Sequence, residues 1–189
     1  PGFFTNPLVP LYEGGQKLTN RHEASGIFKL DYEFIEGLKF TGIANVRYTF
    51  QNEESRARKT FYKNYFTGEE FENGQNTFTD RRDYNAYYNL QALLNYKKSF
   101  GVHNLDILAG YQQESENTDW LKGARSGYPT DIIWELNPGP KDNWSNDGNG
   151  EHWALASFIG RINYDYDNKY ILSVSMRSDA SSRFAKGSR

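Results

Sequence analysis

The stretch Leu-Lys-Phe-Thr-Gly-Ile-Ala-Asn-Val-Arg-Tyr-Thr-Phe, residues 38–50, decides the fold. Its even-numbered positions are all hydrophobic or glycine, whereas five of its six odd-numbered positions are polar. This alternation is typical of a β-strand with one apolar and one polar face. At ~3.3 Å per residue the stretch is ~43 Å long, and a tilt of ~45° reduces its height to ~30 Å, the thickness of a bilayer core. Its length and pattern therefore fit a strand that crosses a membrane.

The same alternation recurs along the chain and predicts six strands in three antiparallel hairpins. The predicted strands cover residues 26–34, 38–50, 87–96, 104–113, 154–166 and 170–178. The turns inside the hairpins are short, and Asp167-Asn168-Lys169 forms the third. Residues 51–83 and 114–152, in contrast, are predicted to be long loops. Outer-membrane barrels show this asymmetry as a rule, whereas compact soluble domains mostly use connections of ~2–6 residues.

The composition excludes several classes of protein. The chain has 189 residues, a net charge of -2 and no cysteine. The absence of a basic excess argues against nucleic-acid binding, and the absence of cysteine excludes disulfides and thiolate zinc sites. The sequence contains no run of ~18 apolar residues, which a transmembrane helix would need. Aromatic residues nevertheless make up 16% of the chain, which a disordered protein would lack.

Three architectures are compatible with the alternating strands. Aromatic residues near the ends of the apolar faces favour a membrane barrel with aromatic girdles. A soluble or surface β-sandwich that binds carbohydrate through loop tryptophans would also have alternating strands. A small closed barrel acting as an adhesin or lipid enzyme is a third alternative. Because single-chain barrels have at least ~8 strands, we predict an all-β section of an antiparallel up-and-down transmembrane β-barrel, incomplete and with long extracellular loops.

The last predicted hairpin carries the most specific motifs. Residues 158–164 fit F-x-G-R-x-N-Y, residues 169–172 fit a following K/R-Y-L-L strand with Ile171 at one position, and residues 177–184 fit R-x-D-x-S-S-R-F. This succession resembles the SusC/RagA family of TonB-dependent outer-membrane transporters. Residues 103–112 are similar to the family's H-x-L-x-x-L-x-G-Y-E strand, with Gln112 in place of the usual acid. The resemblance covers about residues 26–189.

The resemblance implies import of large substrates across the bacterial outer membrane. Family members have a barrel of about 22 strands with a plugged lumen, draw energy through the TonB complex, and are capped by a SusD-like surface lipoprotein that helps to capture glycans or peptides. We therefore expect residues 1–189 to be part of a single barrel domain that contacts outer-membrane lipid. The plug and the TonB-contacting region have no counterpart in this sequence, so the chain is expected to be an internal section. No enzymatic activity and no cofactor are expected.

The tryptophans are the candidate contacts for substrate or partner, because indole rings stack on ligands and anchor interfaces. All four lie in or at the edge of the predicted loop 114–152. We expect Trp134 and Trp144, together with Trp120, to contact ligand or lid, and Trp153 to join an aromatic girdle. The alternative is that they hold the long loop together or join the outer aromatic girdle.

Charged residues in the polar phase of the last hairpin are expected to face the lumen and the plug. They are Arg161, Arg177, Asp179 and Arg183. The three histidines, His22, His103 and His152, lack the spacing of a zinc site. We therefore predict no metal site and no catalytic residue.

Overall fold

The computed structural model describes residues 6 and 8–184, which form an all-β structure with one short helix. The elements are α1 Leu8–Tyr12, β1 Gly15–Ile35, β2 Leu38–Ala57, β3 Thr60–Lys63, β4 Glu70–Asn73, β5 Thr77–Phe100, β6 His103–Ser126, β7 Trp144–Tyr166 and β8 Tyr170–Ser181. Six strands form an antiparallel sheet in the order β1-β2-β5-β6-β7-β8 that does not close on itself, and β3 pairs with β4 separately. The predicted fold class is confirmed. Among the described residues, no helix has the length and apolar character needed to cross a membrane.

The short turns that join β1 to β2, β5 to β6 and β7 to β8 follow from local backbone chemistry. Gly37 adopts a φ of 83°, a left-handed conformation that costs glycine little. Asp167 and Asn168 both have a φ of 52°, and the amide of Lys169 donates to the carbonyl of Tyr166 at 3.0 Å. Two left-handed residues in succession make the type I′ turn that matches the twist of a hairpin. The predicted third turn is therefore present.

The long loops were predicted to be longer than they are, because the strands continue beyond the alternating segments. The strand β2 extends to Ala57 and β5 begins at Thr77, so the first connection is only residues 58–76 and contains the β3–β4 hairpin. Likewise β6 extends to Ser126 and β7 begins at Trp144, which leaves residues 127–143 as the second connection. Polar side chains sustain these extensions, as in the ion pair between Lys17 and Glu53 at 2.8 Å. A strand that is polar on both faces shows no period-two hydrophobic signal.

The described chain comprises two compact units. We call residues 8–22, 50–84 and 119–150 the loop unit, since they include both long connections. We call residues 23–49, 85–118 and 151–184 the turn unit, since they include the three short turns. In the turn unit the register of β7 and β8 places Ser157 opposite Asp179 and Asn163 opposite Ser173.

The buried apolar side chains of the described residues are few and lie in the loop unit: Tyr62, Phe78 and Tyr128. In the turn unit the buried side chains are polar: Asn89, Gln112, Ser115 and Ser157. The second sheet has only two strands of four residues each, which is too small to cover the six-stranded sheet as the partner layer of a sandwich. The sheet of the turn unit is therefore stabilised by backbone pairing and polar contacts rather than by an apolar core.

Candidate functional site

One face of the sheet in the turn unit carries a row of interacting polar side chains, which we call the polar row: Asn85, Glu116, Trp153 and Arg183. One carboxylate oxygen of Glu116 accepts from the indole Nε1 of Trp153 at 2.7 Å, and the other accepts from Nδ2 of Asn85 at 2.9 Å. The guanidinium carbon of Arg183 lies 5.0 Å from the ring centroid of Trp153. The carboxylate thus connects β5, β6 and β7 through hydrogen bonds with fixed directions.

The polar row places Trp153 differently from the sequence interpretation. Trp153 lies within β7, two positions from Leu155 and four from Ser157 on the same face. Its indole donates to a carboxylate on the polar face, so the assignment to an apolar aromatic girdle was wrong. Counting the alternation of β6 forward from Gln112 would have placed Glu116 on this face, but the predicted strand ended at residue 113.

The R-x-D motif of the last hairpin forms a compact arrangement beside the polar row. Arg177 donates from Nε to Asp179 at 2.7 Å and from Nη2 to the hydroxyl of Ser157 at 3.0 Å. Ser157 has no exposed surface. Just beyond, the amide of Ala154 donates to the hydroxyl of Ser182 at 2.9 Å. The residues of the motif therefore have a local structural role, which is to join the end of β8 to β7.

Charged residues also cluster near the short turns, on the same polar phase. Asp31 accepts a hydrogen bond from Thr41 at 2.6 Å and pairs with Lys29 at 3.2 Å and with Lys39 at 3.3 Å. A groove of about 480 Å³ is lined in part by Lys39 and Arg161. Arg161 therefore lines a groove that contains several ionic groups as well as the side chains of Leu93 and Leu108.

The opposite face of the turn unit exposes apolar side chains. Leu90, Ile162 and Val174 are 44%, 47% and 52% exposed. Next to the short turns, this face carries the ring of His103. Its centroid lies 5.3 Å from the ring centroid of Phe100 and 5.9 Å from that of Tyr164. The Nδ1 atom of His103 lies 2.6 Å from the hydroxyl oxygen of Tyr164. A band of aliphatic side chains that ends in aromatic residues is typical of the outer surface of a membrane barrel wall.

In the loop unit Trp120 lies within β6 rather than in a loop, which corrects its predicted position. The guanidinium carbon of Arg81 lies 4.4 Å from the ring centroid of Trp120, and Arg81 makes a double hydrogen bond to Asp83. Trp120 thus has one ring face covered by a cation that is itself fixed.

Trp134 and Trp144 differ in their surroundings. Trp134 is half-buried in the connection 127–143, where its ring centroid lies 6.4 Å from that of Phe78. The guanidinium carbons of Arg56 and Arg58 lie 5.9 and 6.0 Å from the Trp134 ring. Trp144, the first residue of β7, is 63% exposed. Trp134 therefore packs the connection against the sheet, whereas the ring of Trp144 is exposed.

The connection 127–143 is held by Asn76, a residue that no sequence pattern singled out. Its side-chain oxygen accepts from the amide of Lys59 at 2.9 Å, and its Nδ2 donates to the carbonyl of Tyr128 at 3.1 Å. The hydroxyl of Tyr128 donates to the carbonyl of Glu135 at 2.8 Å, and burial raises the pKa of this tyrosine. The connection is therefore ordered by side chains that bond to its backbone. In the described part of the chain, no three His, Asp or Glu side chains converge as a metal site.

Comparisons with known proteins agree with this geometry. No family model matches the chain. TonB-dependent receptor P3 of Formosa agariphila is 32% identical over 163 residues, which cover 86% of this chain and 16% of that protein. TonB-dependent receptor SusC of Bacteroides thetaiotaomicron is 26% identical, with 97% of this chain and 17% of that protein covered. The chain therefore spans about a sixth of the length of these curated relatives.

Solved structures with the same fold are also found. The structure of the RagAB peptide transporter matches with a TM-score of 0.80 at 21% identity and covers 93% of this chain and 19% of that chain. The RagAB peptide importer in the closed-closed state matches with a TM-score of 0.81 at the same identity. These proteins are receptors and transporters, not enzymes.

Proposed function

Because this chain belongs to the SusC/RagA type of TonB-dependent receptors, we propose that the complete protein imports glycans or peptides across the bacterial outer membrane. Within that protein, residues 1–189 form part of the wall of a single barrel domain. The matches cover nearly all of this chain and only a small share of each relative, which supports a section of a larger barrel. The plug and the region that contacts the TonB complex belong to the remainder.

The observation that carries this proposal is the contrast between the two faces of the turn unit. The polar row is hydrogen-bonded through Glu116, while Leu90 and Ile162 on the other face are exposed. In water such a face would be covered, because exposed apolar surface is unfavourable. In a bilayer the apolar face meets lipid and the polar face meets the lumen.

The polar face is the side on which we expect the plug. Arg161, Arg177 and Asp179 share one phase of β7 and β8, and Arg183 lies over Trp153. Ionic side chains on a lumen wall can pair with a plug or orient a polar substrate. Arg177 and Asp179 already bond to each other, so Arg161 and Arg183 are the better candidates for contacts with the plug.

The tryptophans are proposed to have different roles in contacts with substrate and partner. Trp120 lies in the same phase of β6 as Glu116, and we propose that it faces the substrate path. Trp144 displays its ring at the start of β7 and is proposed to contact a SusD-like surface lipoprotein or the captured ligand. Trp134 has its ring occupied by Phe78 and two arginines, so its contribution is to shape the connection 127–143.

Uptake in cells that lack the parent gene tests the function. Cells complemented with the wild-type receptor should accumulate labelled oligosaccharides or labelled oligopeptides, and the accumulation should stop when TonB is deleted. Uptake that persists without TonB would contradict active import.

Trp120→Ala in the parent should reduce uptake, since one ring on the substrate path would be lost. The matched control is Leu121→Ala, which changes the next residue of β6 and is 64% exposed. Equal uptake by both variants would remove Trp120 from the substrate path while leaving the transport function intact.

A further inference from the structure

The tip of the β3–β4 hairpin exposes two adjacent aromatic rings. Tyr65 and Phe66 are each 93% exposed, more than any other large hydrophobic side chain of the described residues. They lie in the turn between β3 and β4, outside the six-stranded sheet, so lipid on the apolar face of the turn unit does not account for them. Two exposed rings side by side are unusual on a surface that meets only water.

The hairpin that carries these rings is ordered below its tip. The rings of Tyr62 and Phe71 stack with centroids 5.5 Å apart and planes within 16°. The amide of Asn64 donates to the carbonyl of Glu69 at 2.8 Å, and the side-chain oxygen of Asn64 accepts from the amide of Phe66 at 2.9 Å. The backbone of the tip is therefore fixed by hydrogen bonds, which lowers the ordering entropy that binding through it costs.

The geometry of the two rings favours a protein pocket over a sugar. The centroids of Tyr65 and Phe66 are 5.5 Å apart and the planes are inclined at 84°. A flat pyranose ring could stack on only one of two perpendicular rings. A concave apolar pocket can enclose both rings, and aromatic side chains of this kind are typical anchors at the centres of protein interfaces.

The charge around the tip indicates what borders such a pocket. Glu69 and Glu70 follow the tip directly, and Glu72 is paired with Lys59 at 2.9 Å. Within residues 63–72 the formal charge is -2, from one lysine and three glutamates. Electrostatic complementarity therefore calls for a basic rim around the pocket of the partner.

We propose that Tyr65 and Phe66 anchor the SusD-like surface lipoprotein by inserting into an apolar pocket with a basic rim. This inference rests on the proposed function, because it takes the lipoprotein as the partner. It assigns the contact to the β3–β4 hairpin, which is independent of the tryptophans considered above. The hairpin is the anchor, and the two glutamates steer the encounter.

The test uses the full-length receptor and its SusD-like lipoprotein, both purified in detergent. The affinity of the wild-type pair is compared with that of the double variant Tyr65→Ala/Phe66→Ala. We expect the double variant to bind the lipoprotein at least 10-fold more weakly, equivalent to about 1.4 kcal/mol. The matched control is Ile132→Ala, which removes an apolar side chain that is 82% exposed in the other connection and should bind as the wild type does.

A second variant tests the anchor through its charge. Glu69→Lys/Glu70→Lys keeps both rings and should slow association several-fold at low salt, with the difference shrinking at high salt. Unchanged affinity of the aromatic double variant would overturn the proposal. So would a loss of substrate binding by the receptor alone with the lipoprotein affinity retained, which would indicate a carbohydrate site. A wild-type receptor that forms no complex at all would instead overturn the partnership on which the inference rests.

Discussion

Ala44 and Asn45 are neighbours in β2 whose side chains point to opposite faces of the sheet. Arginine at a lipid-facing midplane position costs ~2–4 kcal/mol, whereas a lumen position can hydrate the guanidinium. Ala44→Arg should therefore impair folding of the parent receptor into membranes, and Asn45→Arg should be tolerated. The measurement is folding yield in thin and thick bilayers. Equal yields, or a loss only at position 45, would show that the faces are assigned wrongly.

Glu116 is the residue on which the polar row depends. Glu116→Ala removes an acceptor of both Trp153 and Asn85. Both donors are half-buried and Asn85 keeps its hydrogen bond to Thr118, so the expected loss is that of ordinary hydrogen bonds, about 1 kcal/mol. We expect the variant of the parent to unfold at lower urea concentration and the fluorescence of Trp153 to change. Asp119→Ala is the control, since Asp119 is exposed on the same strand. Identical midpoints for both variants would mean that the polar row adds no stability.

At the scale of single residues, the alternation of apolar and polar residues predicts the face of the sheet on which a side chain lies, but not the side chains that it contacts. It places Arg161, Arg177 and Asp179 in one phase, because each strand residue alternates regardless of its neighbours. It does not reveal that Trp134 lies against Phe78, since those residues are separated by a whole hairpin. Contacts of this kind depend on how a connection folds back, which no local pattern encodes.

Asn76 controls the element that carries Trp134. Asn76→Ala removes the acceptor for Lys59 and the donor for Tyr128 at once, so residues 127–143 should lose their order while the six-stranded sheet persists. Hydrogen exchange followed by mass spectrometry should show at least about 10-fold faster exchange in that connection. Gln75→Ala, at an exposed neighbouring position, should leave the exchange unchanged. Protection that survives the loss of Asn76 would assign the order to Arg125 and its bonds to Asn137 and Gly139.

At the scale of strands, the predicted strand ends are accurate next to the short turns, but at the opposite ends the predicted strands stop too early. The predicted strands meet the observed ones closely at the turns, for example at Leu38 and Tyr166, because the turns carry glycine, aspartate and asparagine in positions that need a left-handed backbone. The far ends were missed, as for β5, which begins at Thr77 and not at residue 87. There both faces are polar, so the hydrophobic period vanishes although the backbone pairing continues.

For the molecule as a whole, the exposed apolar face determines how the chain behaves in solution. Residues 1–189 produced alone should aggregate in buffer and stay dispersed in detergent micelles, because Leu90, Ile162 and Val174 are exposed. Sedimentation with and without detergent measures this difference. A monomer that is soluble without detergent would contradict the assignment of this face to lipid.

The three tight turns also have a kinetic consequence. Each joins two strands that are adjacent in sequence, so the β1–β2, β5–β6 and β7–β8 pairs form through local contacts, and hairpins of this kind form in ~1–10 μs. Pairing β2 with β5, or β6 with β7, first requires closing a connection of residues 58–76 or 127–143, which costs entropy before it yields contacts. The sheet should therefore assemble by association of three preformed hairpins. Replacing Asn168 with a β-branched residue would delay the formation of the β7–β8 hairpin while leaving its final hydrogen bonds in place.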